Sequence, residues 1–205
     1  MILYALILAA GRSRRMGVQK LLLPFGDTTI LGRVVSEIAR TPVAGTFVVV
    51  RPDEPRVAQA LAGLAVETVP NPDPAGDMWS SIRWGWRQVP AEANTVLIAL
   101  GDQPTIRAEL IRALCTRFDN VNGRIVVPAH QGRRGHPVLL DASYREEALA
   151  SYEEVGLRGL LAAHTDKVLE LDWPDAHVLS DIDTPADYQR AVGTPPIEPP
   201  PALGA

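Results

Sequence analysis

Stretches in which every residue is apolar recur along this chain. The clearest, Val96-Leu97-Ile98-Ala99-Leu100, has no polar position on either face. A strand with one face in water alternates apolar and polar residues, whereas a strand covered by helices on both faces does not. Strand-like runs are expected at 2–9, 45–50, 66–69, 95–100, 124–128, 137–140 and 167–171. Between them lie helical patterns at 29–40, 54–62, 77–88, 107–117, 143–150, 155–164 and 185–192. That alternation predicts βαβ units and an α/β fold with a mostly parallel sheet between two helical layers. In such a sheet ligands gather beyond the carboxyl ends of the strands, so the loops after Ala9 and Leu100 should share one edge.

A length of 205 residues suits one domain with a full core. The expected domain covers 1–193, followed by a proline-rich, extended and disordered tail at 194–205. A net charge of −4 gives no general attraction to nucleic acid or to an anionic membrane, so any phosphate binding must be local. The first apolar run is too short to span a bilayer and lacks a basic leader, and the expected location is the cytoplasm. The single cysteine, Cys115, excludes an internal disulfide and sits in an apolar helical pattern as core filling. His130, His136, His164 and His177 show no zinc-ligand spacing with it.

The first strand breaks into Ala9-Ala10-Gly11-Arg12-Ser13-Arg14-Arg15-Met16-Gly17 and reaches Lys20, one of only two lysines in the chain. Small residues let backbone N–H groups approach an anion, and adjacent cations complete a phosphate cradle. A compact ammonium is used here where arginine is otherwise the rule. Two known phosphate loops do not fit. Five residues rather than four separate Gly11 from Gly17, with Val18 where a P-loop needs lysine, and Ser13 and Met16 stand where a dinucleotide fingerprint needs glycine.

Two acidic turns complement the cradle. Asp102, in Gly101-Asp102-Gln103-Pro104, follows the most hydrophobic strand; it either caps a helix opened by Pro104 and Thr105 or holds a divalent cation. In Asp181-Ile182-Asp183-Thr184-Pro185, alternation sends both aspartates to one side, away from Ile182, while Thr184 and Pro185 mark a helix start. Trp79, Trp84 and Trp86 crowd one segment, and helical spacing puts Trp79 and Trp86 on one face beside Arg83. They pack in the core or between copies, and Trp79 is also a candidate to border a ligand.

The motif LAAGxSxRMGxxK resembles the signature loop of the MobA-like nucleotidyltransferases, and the resemblance extends over nearly all of the chain apart from the tail. It includes Asn71-Pro72-Asp73, Gly76 through Ser81, Gly101 through Pro104, Gly135-His136-Pro137-Val138 and Asp181 through Pro185, in matching order. The fold this implies is a Rossmann-like sheet of the nucleotide-diphospho-sugar transferase type. The implied nucleotide-binding residues are Leu8, Ala9, Ala10, Gly11, Arg15, Lys20, Asn71, Gly76, Ser81 and Asp102. Ser81 would lie near the base, and Gly135, His136 and Pro137 would face the acceptor. Asp102 and Asp183 would share one Mg²⁺ while Arg15 and Lys20 hold the phosphates, which makes Arg15, Lys20, Asp102 and Asp183 the catalytic set.

Ala10 and Asp183 stand where the guanylyl branch usually carries Gly and Asn, so the resemblance favours the cytidylyl branch. It implies transfer of CMP from CTP to molybdopterin with release of pyrophosphate, and a molybdoenzyme as recipient of the product. Gln103 differs from the Met of some relatives and leaves the acceptor open. The rival readings are a GTP-using or sugar-phosphate enzyme of the same fold, and a non-catalytic nucleotide- or cofactor-binding chaperone.

Overall fold

A computed structural model describes residues 1–73, 76–120 and 125–193. The chain runs through β1 (Leu3–Leu8), the hairpin of β2 (Pro24–Phe25) and β3 (Thr28–Thr29), α1 (Ile30–Ala39), β4 (Val43–Val50), α2 (Pro55–Gln59) and β5 (Glu67–Pro70). It continues through α3 (Met78–Gln88), β6 (Thr95–Leu100), α4 (Ala108–Asn120), β7 (Ile125–His130), β8 (Arg133–Arg134) and β9 (Val138–Asp141). Last come α5 (Arg145–Ala150), α6 (Gly156–Ala163), β10 (Val168–Asp172) and α7 (Pro185–Val192).

The main sheet has the order β10-β7-β9-β6-β1-β4-β5, with β8 paired to β7. β6, β1, β4 and β5 pair in parallel, as do β7 and β10, whereas β9 is antiparallel to both neighbours. The reversal has a local cause. The link from β7 to β9 contains only the short β8 ribbon, too little chain for a crossover back to the opposite end of the sheet.

Successive residues of the central strands enter different cores. Leu3, Ala5 and Ile7 of β1, with Leu97 and Ala99 of β6, pack under Ile30, Leu31, Val34 and Ile38 of α1 and Ile111 and Leu114 of α4. On the other face Leu6, Val96 and Ile98 meet Trp79, Ile82 and Trp86 of α3 and Leu157 and Leu160 of α6. Both faces are therefore covered, as the uninterrupted apolar runs predict. Trp79 and Trp86 share that second core, while Trp84 stacks beneath the Arg87 guanidinium at 4.9 Å. Cys115 is buried, and burial together with the Asp119 charge pushes its thiol up to about 11, so it fills space and stays protonated.

Two expectations change, and two fall outside the described residues. The helix expected over 54–62 is only α2, followed by turns, because Glu54 bonds Arg56 instead of capping the helix. Pro104 and Thr105 do not open α4. Gln103 N–H donates to Leu100 O and Ile106 N–H to Gln103 O, so a turn intervenes before Ala108. Arg124, the expected start of β7, and the proline-rich tail lie outside the described residues.

Candidate active site

The carboxyl ends of β1 and β6 meet through glycine. Gly101 N–H donates to Leu8 O at 2.9 Å, and a Cβ on Gly101 would sit 2.9 Å from that oxygen and 3.2 Å from Leu31 Cδ1. A side chain there would prise the two strand ends apart. The next residue, Asp102, accepts from Ile182 N–H through its carbonyl at 3.0 Å, which ties the 181–183 segment to this edge. Ile182 is buried, while Asp181 and Asp183 turn the other way and join Asp102, with one carboxylate oxygen from each lying within 4.8 Å of the others. Asp102 does not cap α4. Ala108 N–H donates instead to Glu37 Oε2 of α1 at 2.9 Å.

Lys20 enters this cluster from the opposite side. It is 7% exposed, and Nζ lies 2.6 Å from Asp102 Oδ2 and 2.9 Å from Asp183 Oδ1. Arg15 Nη2 reaches Asp183 Oδ2 at 2.5 Å. Burial alone would lower the Lys20 pKa, but Asp102 and Asp183 together outweigh it and hold the ammonium above its ordinary value. Burial likewise acts to raise Asp183, and Lys20 and Arg15 reverse it to leave a lowered pKa. Asp181 has neither cation as a close partner. Partial withdrawal from water, reinforced by the charges of Asp183 and Asp102, pushes its carboxyl upward.

The loop between β1 and Lys20 is closed by a side-chain clip. Ser13, in the left-handed region at φ 48°, donates through Oγ to Gln19 Oε1 at 2.9 Å and accepts from Lys20 N–H at 3.2 Å. The clip fixes where Lys20 leaves the loop. Beneath it opens a cavity of about 400 Å³ whose walls include Leu8, Ala10, Gly11, Arg15, Lys20, Gly76, Ser81, Asp102 and Asp183. Arg12, Ser13, Arg14, Asp77, Met78 and Asp181 also line it.

Two expected nucleotide contacts stand behind the wall. Ala9 is buried, with its N–H donating to Val49 O at 2.8 Å. Asn71 is 2% exposed; its Nδ2 lies 3.1 Å from both Ser80 Oγ and Ser81 Oγ, and its Oδ1 accepts from Asp73 N–H at 3.1 Å. Asn71 therefore orients Ser81, which faces the cavity. Trp79 also lies behind the wall, donating through Nε1 to Ser151 O at 3.0 Å. Gly135, His136 and Pro137 lie outside this cavity, on the antiparallel link beside β6. A Cβ on Gly135 would come within 2.1 Å of Val178 O, and His136 N–H donates to that oxygen at 3.0 Å. His136 Nε2 is enclosed without a hydrogen-bond partner.

The sequence signals for the remaining residues differ in kind. Asp181 was visible in the alternation around Ile182, although the resemblance gave a task only to Asp183. Gln19 carries no local signal, because its role depends on Ser13 turning back toward it. The three carboxylates are hard oxygen donors, and Asp102 Oδ1 and the Asp181 carboxylate are not taken up by the Lys20 and Arg15 contacts. A donor set of this kind suits a divalent cation that takes one or two carboxylates and completes its shell with phosphate oxygens.

Residues 5–168 match the MobA-like NTP transferase domain. Over 188 residues the chain is 26% identical to the molybdenum cofactor cytidylyltransferase of Escherichia coli, covering 91% of this chain and 93% of that one. It is 29% identical over 197 residues to the nicotine blue oxidoreductase of Paenarthrobacter nicotinovorans, covering 90% and 93%. Among solved structures, the Rv0371c protein of Mycobacterium tuberculosis superposes with a TM-score of 0.84 at 26% identity, covering 94% of this chain and 98% of the other. The glycine-rich loop, the buried lysine and the carboxylates at the strand ends thus have a common explanation: the chain belongs to the MobA-like NTP transferase family and is a nucleotidyltransferase.

Proposed function

We propose that this enzyme transfers CMP from CTP to the terminal phosphate of molybdopterin and releases pyrophosphate. The observation that carries the reading is the placement of Lys20 Nζ between Asp102 and Asp183 at the edge of a cavity walled by Gly11 and Arg15. A triphosphate brings four or so negative charges, and the loop and its cations supply the local field that the chain's net charge does not. Ser81, oriented by Asn71, lines the same cavity as the loop, where it can bond a base or ribose. The methyl of Ala10 lines the same space and disfavours the larger purine.

In the transfer, a phosphate oxygen of the acceptor forms a bond to the α-phosphorus while the bond from that phosphorus to the bridging oxygen of pyrophosphate breaks. Lys20 and Arg15 stabilise the charge that builds on the oxygens, and their fixed positions need no reorganisation as the reaction proceeds. Asp102, Asp181 and Asp183 would hold Mg²⁺, which when bound neutralises phosphate charge and aligns the two anions. Asp183 has a second task, because it holds both cations at the cavity edge before substrate enters. Gly135, His136 and Pro137, at the same sheet edge beyond β6, would meet the acceptor. The described residues contain no helix long and apolar enough to cross a membrane. We place the reaction in the cytoplasm, with a molybdoenzyme receiving the product.

Relatives of this family differ in chemistry, as the transferase and oxidoreductase names above show, so the substrate is to be measured directly. Incubation with each nucleoside triphosphate, Mg²⁺ and purified molybdopterin should release pyrophosphate fastest with CTP and only when the acceptor is present. Preference for GTP would move the enzyme to the guanylyl branch. Release with none of them would overturn the reading.

A further inference from the structure

A second concentration of cations lies behind the phosphate loop. There the loop after β1 faces the segment after β4 across a cavity of about 400 Å³. Arg12, Ser13 and Arg14 form a wall common to this cavity and the catalytic one. From the other side come Arg51 and Arg56. Arg51 grips Asp53 with two N–H groups, one of them Nε to Oδ1 at 2.7 Å, and Arg56 grips Glu54 at 2.7 and 2.8 Å. Arg12 Nη1 lies 3.9 Å from Asp53 Oδ2. Four guanidiniums therefore face two carboxylates, an excess of two positive charges.

Asp53 and Arg56 are exposed, and ion pairs open to water contribute little net free energy, so a multivalent anion can compete for the guanidiniums. Each guanidinium has five N–H donors in a planar fork, and the pairs of Arg51 with Asp53 and of Arg56 with Glu54 engage only the Nε and Nη2 edge. Pyrophosphate carries more charge and more acceptor oxygens than a single phosphate, so it can engage more of the arginines of the two segments at once. We propose that this second cavity binds inorganic pyrophosphate, the group released by the transfer, beyond the wall of Arg12, Ser13 and Arg14. The source of the anion rests on the nucleotidyl-transfer reading, while its binding is independent of turnover. The site would give the product a place outside the catalytic cavity.

The test is isothermal titration of the full chain with inorganic pyrophosphate in the absence of nucleotide and divalent metal. The wild type should bind two equivalents and the double variant Arg51→Ala with Arg56→Ala only one, since both residues lie outside the catalytic cavity. Arg56→Ala alone, at an exposed side chain, should weaken the second equivalent roughly tenfold through loss of charged hydrogen bonds. It serves if removal of Arg51 disturbs the fold. Inorganic phosphate should leave the second site unfilled at concentrations where pyrophosphate saturates it. One equivalent in the wild type, two undiminished equivalents in the variants, or equal filling by phosphate would each overturn the proposal. Failure of the transfer reading shows separately, as absence of pyrophosphate release from any nucleoside triphosphate.

Discussion

Lys20 shows how much depends on the shape of a charge. Its ammonium is enclosed between Asp102 and Asp183 at 2.6 and 2.9 Å, a gap that suits a compact cation and not a planar fork. Lys20→Arg keeps the charge, yet turnover measured by pyrophosphate release should fall about 100-fold, the scale on which one positioned donor acts. Full activity in that variant would mean that charge alone suffices. Gly11 makes the complementary case. A Cβ there would meet nothing within 4 Å, and its backbone is outside the left-handed region, so the fold does not require glycine. Its smallness leaves room for what enters the cavity. Gly11→Ala should leave the melting curve unchanged and raise the nucleotide KM about tenfold, the cost of crowding by one methyl. Lys20 and Gly11 were both legible in the sequence, one by its rarity and one by its place after an apolar strand. The clip between Ser13 and Gln19 was not, because nothing in the identity of Gln19 says that the chain folds back to it.

At the scale of elements, apolar runs located the main strands, and the chemistry of their ends located the site. What stayed hidden was long-range. Glu37 looks like a surface residue of α1, yet it is 1% exposed and accepts from Ala108 N–H of α4 while facing Arg40 at 3.2 Å. No local pattern predicts that a carboxylate on one helix caps another. Its replacement also explains why Asp102 is free for other work, since the cap of α4 is already supplied. Glu37→Ala should lower stability by about 1–3 kcal/mol, the cost of leaving a buried donor unmet, with the nucleotide KM little changed. Denaturant unfolding and KM measured on the same preparation check both halves. The short β2–β3 hairpin and β8 were likewise invisible, because two-residue strands carry no periodicity.

Across the whole molecule the two faces of the sheet are tied together by packing, and an ionisable group that loses much of its basicity, His136, lies beside them. Among the described residues, burial brings the His136 pKa from the ordinary 6.5 down to about 4. The folded protein therefore keeps this imidazole neutral where the unfolded chain accepts a proton. The stability it contributes is complete above about pH 6.5 and is lost as pH falls toward about 4, roughly 3 kcal/mol over the interval. Unfolding of His136→Gln should lack that part of the pH dependence; the same slope in both proteins would refute the assignment.

One edge of the sheet brings a cation-bearing loop and three carboxylates together, an arrangement suited to metal-dependent nucleotidyl transfer. Single-turnover pyrophosphate release from CTP, with molybdopterin and titrated Mg²⁺, tests it most directly when wild type and Asp102→Asn are compared. The expected result is saturable Mg²⁺ dependence in the wild type, and in the variant a rate lower by about 100-fold or more with the fold intact. Equal rates in the two proteins, or release that is indifferent to Mg²⁺, would rule out metal-dependent transfer at these carboxylates.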